Sequence, residues 1–220
     1  MVIKPIKFSK FIKDFLQTGF TQIVTMILGV LLLRIFAHFY SKEYFGIFMI
    51  IKRILAVGVT MLTLNLELGL ARFISLEKNR DKEFLNFSVF LILIISIPFI
   101  CFVVAFKNTL SNLFFKSPDF NHLIILTGFS VISMALFTIT YAFFRGKQEM
   151  LKANKMQLAS NSFPVILIIL MISFYENEYL SLYLFVLLFS LFNIVLSFYP
   201  IKNLINFSFI NFIVSKISNF

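Results

Sequence analysis

Charge is what this chain lacks most. Lys, Arg, Asp and Glu together make up 14% of its 220 residues, whereas a soluble domain carries about a quarter. There is one cysteine, Cys101, so no intrachain disulfide can form and no multi-cysteine metal motif exists. The two histidines, His38 and His122, lie at opposite ends of different apolar runs, with no metal-ligand spacing and no acidic neighbour to make either a general base. No P-loop, paired-carboxylate or Ser/His/Asp constellation can be assembled. Covalent catalysis and ATP hydrolysis by this chain are therefore not expected, and neither is a metal or cofactor. The first segment has lysines at 4, 7, 10 and 13 but no small-residue cleavage site. It reads as a retained amphipathic lead-in over residues 1–17 rather than a removed signal peptide.

What is present is apolar. Hydrophobic residues account for 60% of the chain and the mean hydropathy is +0.94. The apolar residues fall in runs of the length a helix needs to cross about 30 Å of hydrocarbon at about 1.5 Å per residue. Six spans are expected: Thr18 to Phe39, Phe45 to Ser75, Leu85 to Phe106, His122 to Phe143, Gln157 to Phe174, and Leu180 to Phe198. The predicted fold class is all-α, a polytopic bundle of six transmembrane helices over residues 18–199 followed by a tail over 200–220. The net charge of +10 is spread over short flanks between apolar runs, not gathered in one patch, so it points to topology and not to nucleic acid. Alternate flanks hold 13 Lys and Arg; the opposite side holds Lys42, Lys52, Arg53, Lys107 and Lys116. By the positive-inside rule both termini are expected to be cytoplasmic.

One stretch breaks the apolar pattern. "TLNLELGL", residues 63–70, alternates with period two, as a half-buried strand would. Apolar sequence flanks it on both sides, and a lone strand there would leave backbone groups unpaired in lipid, so a helix is expected. No other span alternates over a strand's length, which argues against a transmembrane barrel.

On a continuous helix, Arg53, Thr60, Thr63 and Glu67 fall on one face, and Asn65 and Arg72 on another. A charge at membrane depth costs several kcal/mol, so it turns toward a partner or a wet cavity, or snorkels to the surface. Snorkelling at the ends of a tilted helix stands as the alternative for Arg53 and Arg72; Glu67 is too short for it. The fourth span repeats the pattern with Thr127, Ser130, Met134, Thr138, Tyr141 and Arg145, a stripe that suits either helix packing or ligand contact. In the first span Gln22, Met26, Val30 and Arg34 align, with Arg34 near the outer end, where snorkelling is again the alternative. Pro164 is expected to kink the fifth span. Taken together these residues describe a basic, polar cavity among helices, suited to an anionic group.

The run "LLLRIFAHFYSKEYFGIF" resembles the first helical hairpin of the Wzx-type O-antigen and capsule flippases, within the multidrug/oligosaccharidyl-lipid/polysaccharide exporter superfamily; Arg34, Glu43, Tyr44 and Gly46 carry the match, with Phe45 inserted. "LNLELGLARFIS" is similar to the end of that family's second helix and "YAFFRGKQEM" to the end of its fourth, so the resemblance extends over about residues 8–205. It implies a multi-pass inner (plasma) membrane protein that flips polyprenyl-pyrophosphate-linked oligosaccharide for cell-surface polysaccharide or lipopolysaccharide, by alternating access driven by an ion gradient. Arg34, Arg72 and Arg145 fall in the matching motifs and are the cavity charges it implies, while Arg53 and Glu67 rest on the shared helix face alone. Members have twelve or more spans, so this chain corresponds to an N-terminal half whose tail resembles the linker to a second bundle. A truncated product, half of a split transporter, and a half-size protein that dimerises are the three readings. The expected partners are the lipid-linked oligosaccharide, the bilayer, and a second six-helix half or a homodimer partner. A multidrug-type exporter and a non-transporting membrane interaction protein are the competing functions.

Overall fold

A computed structural model describes residues 8–77, 80–175 and 177–202. Among the described residues there are eight α-helices: α1 (Phe8–Phe39), α2 (Lys42–Thr63), α3 (Leu66–Leu76), α4 (Asp81–Ala105), α5 (Lys107–Phe115), α6 (Asn121–Gly146), α7 (Met150–Phe174) and α8 (Glu178–Phe198). Six segments are long and apolar enough to cross a membrane: Ile12–Phe39, Lys42–Thr63, Asp81–Ala105, Pro118–Gly146, Met150–Phe174 and Glu178–Ile201. This is the architecture of a multi-pass membrane protein, and no strand occurs among the described residues. The described part of the expected lead-in, from Phe8, is continuous with the first span. The tail expected to resemble a linker lies outside the described residues beyond Lys202.

The second span is corrected. Phe45 to Ser75 is not one helix, because Leu64 (φ 48°) and Asn65 (φ 58°) both adopt the left-handed conformation and separate α2 from α3. Asn is one of the few residues that enters this region readily, whereas for Leu it costs about 1–2 kcal/mol. The alternating stretch is thus helical on both sides of an interruption that hydropathy does not register. Leu64 is 65% exposed, so its side chain packs little. Leu64→Gly should therefore raise stability by about 1 kcal/mol, read as a higher midpoint of thermal unfolding in detergent. A lower midpoint would mean that Leu64 contributes packing that outweighs the backbone cost.

The break also fixes what the first part of that span can do. At about 1.5 Å per residue the 22 residues of α2 extend about 33 Å, enough to cross the hydrocarbon alone. Lys52 and Arg53 sit near the middle of this helix, about 15 Å from either end. They are therefore not flank charges, and the side opposite the lysine-rich flanks retains Lys42, Lys107 and Lys116.

Helix α6 is the hub: α2, α3, α4 and α8 all pack on it, while α1 packs chiefly on α7. Its sequence explains why. Thr127, Gly128, Ser130, Ser133, Ala135, Thr140, Ala142 and Gly146 are all buried, and small residues let helices approach closely where lipid supplies no hydrophobic drive. The hydroxyls return to their own helix, Thr127 Oγ1 to the Leu123 carbonyl at 2.7 Å and Thr140 Oγ1 to that of Leu136 at 3.1 Å. Across helices, the Ser130 and Ser190 hydroxyls pair, and Ser160 Oγ donates to Asn193 Oδ1 at 2.9 Å.

The two ends are tied by polar contacts. At the α1–α2 turn the buried Tyr40 hydroxyl pairs with that of Ser181. Ser41 donates to the Glu178 carboxylate from its side chain at 2.7 Å and its backbone N–H at 3.1 Å. Asn177 caps α8 by accepting from Leu180 N at 3.1 Å. At the opposite end Lys147, just past α6, meets Asp81 in the first turn of α4 at 2.7 Å, where the helix dipole also favours a carboxylate.

Candidate functional site: a cavity between the helices

Near their connecting turn α1 and α2 touch through the Phe36 and Phe48 rings, stacked at 3.7 Å between centroids. They make few contacts beyond this. Between them lies a partly enclosed cavity of about 460 Å³, closed behind by α6, α7 and α8. That volume falls within the range of small-molecule sites. From α1 come Leu28, Gly29 and Leu32; from α2 Phe48, Ile51, Lys52, Leu55, Ala56 and Val59. Helix α6 supplies Met134, Phe137 and Tyr141, and α8 supplies Phe185, Val186 and Phe189. Helix α7 gives Gln157, Ser160, Asn161 and Pro164.

The walls are mostly apolar, with one polar strip. The Tyr141 hydroxyl donates to Gln157 Oε1 at 3.0 Å, and the Gln157 and Gln22 amides face each other at 3.4–3.5 Å. Asn161 Nδ2 donates to the Gln157 carbonyl at 2.8 Å. Helix α7 runs on through Pro164, which has no N–H to donate to the Ser160 carbonyl one turn back. Lys52 brings the cavity's positive charge. Its Nζ lies 5.9 Å from the centroid of the Phe48 ring. Among the described residues no acidic side chain lines the cavity and no carboxylate lies within ion-pair distance of Lys52.

Among the residues expected at the site, Tyr141 lines this cavity, and Met134 from the same stripe does so too. That stripe divides along α6. Thr127 and Ser130 are buried in helix packing, Thr138 Oγ1 donates to the Met134 carbonyl at 2.9 Å, and Arg145 is exposed with its guanidinium 5.6 Å from the Tyr141 ring. The stripe is thus divided, its first part packed between helices and Met134 and Tyr141 lining the cavity.

The face proposed for Arg53, Thr60, Thr63 and Glu67 does not carry through. Arg53 and Thr60 are exposed, Thr63 is 1% exposed, and the left-handed pair at 64 and 65 resets the helical phase before Glu67. Thr63 Oγ1 and Glu67 Oε2 are buried without a hydrogen-bond partner, and no cation pairs with Glu67 among the described residues. Arg72 is exposed on α3. Arg34 is exposed and borders a shallow surface cleft with His38. Gln22, Met26, Val30 and Arg34 do share one exposed face of α1.

Lys52 and the α7 strip are the site residues that sequence reasoning passed over. Gln157, Ser160, Asn161 and Pro164 recur at spacings of 3, 1 and 3, a single helical face visible in the sequence. Ser190, Asn193 and Ser197 on α8 follow the same rule, and all three are buried. Lys52 was masked by its neighbour Arg53, since the pair reads as a basic flank. No known family, no curated protein and no solved structure matches this chain.

Proposed function

We propose that this chain translocates polyprenyl-pyrophosphate-linked oligosaccharide across the inner membrane, for cell-surface polysaccharide or lipopolysaccharide, without enzymatic chemistry of its own. The observation that carries the reading is the cavity between the α1–α2 hairpin and α6 to α8, with Lys52 in its lining near the middle of α2 and without an ion pair among the described residues. A cation at that depth is costly unless an anion meets it. A lipid phosphate does so while its headgroup crosses. The resemblance of the α1–α2 hairpin to the polysaccharide flippases points the same way.

A multidrug-type exporter would also suit the aromatic walls formed by Phe48, Phe137, Phe185 and Phe189. Lys52 would repel the cationic amphiphiles such exporters would have to accept, which favours the lipid-phosphate reading. Arg53 argues for a partner. It is exposed near the middle of α2 without an ion pair among the described residues, so a second six-helix body, from another half or another copy, is proposed to cover that face. The test is genetic and chemical. Deletion should make lipid-linked sugar accumulate on the cytoplasmic face of the membrane, measured by its accessibility to added glycosidase in inverted vesicles. Unchanged leaflet distribution would overturn the proposal.

A further inference from the structure

Resting on that functional reading but extending it, we propose that one six-helix bundle contains a complete site for a lipid phosphate and the first part of a single hydrocarbon chain, with Lys52 holding the phosphate. The glycan lies outside this site. Size sets the first limit. A cavity of about 460 Å³ takes a molecule of drug-like dimensions, not a lipid-linked oligosaccharide.

Lining chemistry sets the second. Phe48, Phe137, Phe185 and Phe189 offer apolar walls for a chain. Gln157, with Tyr141 and Asn161 already bonded to it, is engaged within the protein, which leaves little free polar surface for a sugar. Charge sets the third. Lys52 is the cation of the lining, no carboxylate among the described residues opposes it, and it sits near the middle of a membrane-length helix, where an unpaired charge is costly. An ammonium in such surroundings forms a strong, charge-assisted contact with a phosphate oxygen. The cavity is only partly enclosed and α1 and α2 touch little beyond the Phe36–Phe48 stack, so the ligand would enter between these two helices as a membrane lipid does.

The chain contains no tryptophan, so Phe189→Trp places a single fluorescent reporter in the cavity wall. The full chain carrying this change is titrated in neutral detergent with farnesyl phosphate and, separately, with farnesol. The phosphate should bind at least tenfold more tightly than the alcohol. Lys52→Gln should bring the two within about twofold, and Lys52→Arg should keep the preference, since a cation remains. Dioleoyl phosphatidylglycerol, an anionic lipid with two chains, should compete at least tenfold more weakly than farnesyl phosphate.

Equal binding of phosphate and alcohol with Lys52 in place overturns the proposal, and this comparison needs no Lys52 variant to fold. So does a preference that survives Lys52→Gln. Equal competition by phosphatidylglycerol overturns the single-chain site. A preserved phosphate preference combined with normal sugar-lipid distribution in the deletion strain would instead remove the translocation reading and leave the site standing.

Discussion

Gly146→Leu should destabilise the bundle by about 3 kcal/mol, the upper part of the usual range for overpacking. The reason lies in what a side chain would meet. A Cβ at Gly146 would come within 2.9 Å of the Ala71 carbonyl oxygen and 3.0 Å of both the Ala71 Cα and the Ile74 Cβ. Two of those three atoms are backbone, so α3 could make room only by moving as a unit away from α6. At Gly58 a Cβ would meet the Val131 side chain at 2.8 Å, and a side chain gives way more easily than a helix backbone. Gly58→Leu should cost less, about 1–2 kcal/mol. Gly46 has nothing within 4 Å of its would-be Cβ, so Gly46→Leu should fall within about 0.5 kcal/mol of the parent. Thermal unfolding of the three variants in one detergent tests the order. A Gly146 variant as stable as the Gly46 variant would mean that the α3–α6 contact contributes little to the fold.

The six spans were legible because hydropathy and span length impose them. Lipid cannot satisfy a free backbone, so an apolar run of sufficient length has almost no choice but helix. The same logic settled the alternating stretch at 63–70 as helical, but could not place the break inside it. Left-handed backbone at Leu64 is a property of how α3 turns to lie along α6, and nothing about a leucine announces it.

The site was half legible for a related reason. Tyr141 and Met134 came from a stripe on α6, a helix packed by neighbours on most sides, so that part of its stripe had to face inward. Arg53 and Thr60 came from a stripe on α2, which the cavity touches on one side only. Periodicity says which residues share a face; it does not say which face meets the cavity. Lys52 and Arg53 point to nearly opposite environments although they are adjacent, because consecutive residues on a helix lie about 100° apart.

That adjacency allows the two lysine and arginine roles to be separated by experiment. Lys52→Gln should reduce translocation on the order of 30-fold or more, the effect of about 2 kcal/mol or more when one partner of a desolvated charge pair is removed. Lys52→Glu should abolish it, because a carboxylate at that depth repels the phosphate and is itself hard to accommodate. Neither change should alter the size of the assembled protein in detergent, since Lys52 is half-buried in the cavity wall, unlike the exposed Arg53. Arg53→Gln should do the reverse. It leaves the preference for farnesyl phosphate over farnesol unchanged and shifts the sedimentation of the assembly, because Arg53 lies on the exposed face of α2. Leaflet accessibility of the lipid-linked sugar and analytical ultracentrifugation read the two effects separately. If Lys52→Gln transports normally, or if both variants change assembly and phosphate preference together, the division of labour between a phosphate-binding lysine and a partner-facing arginine is wrong.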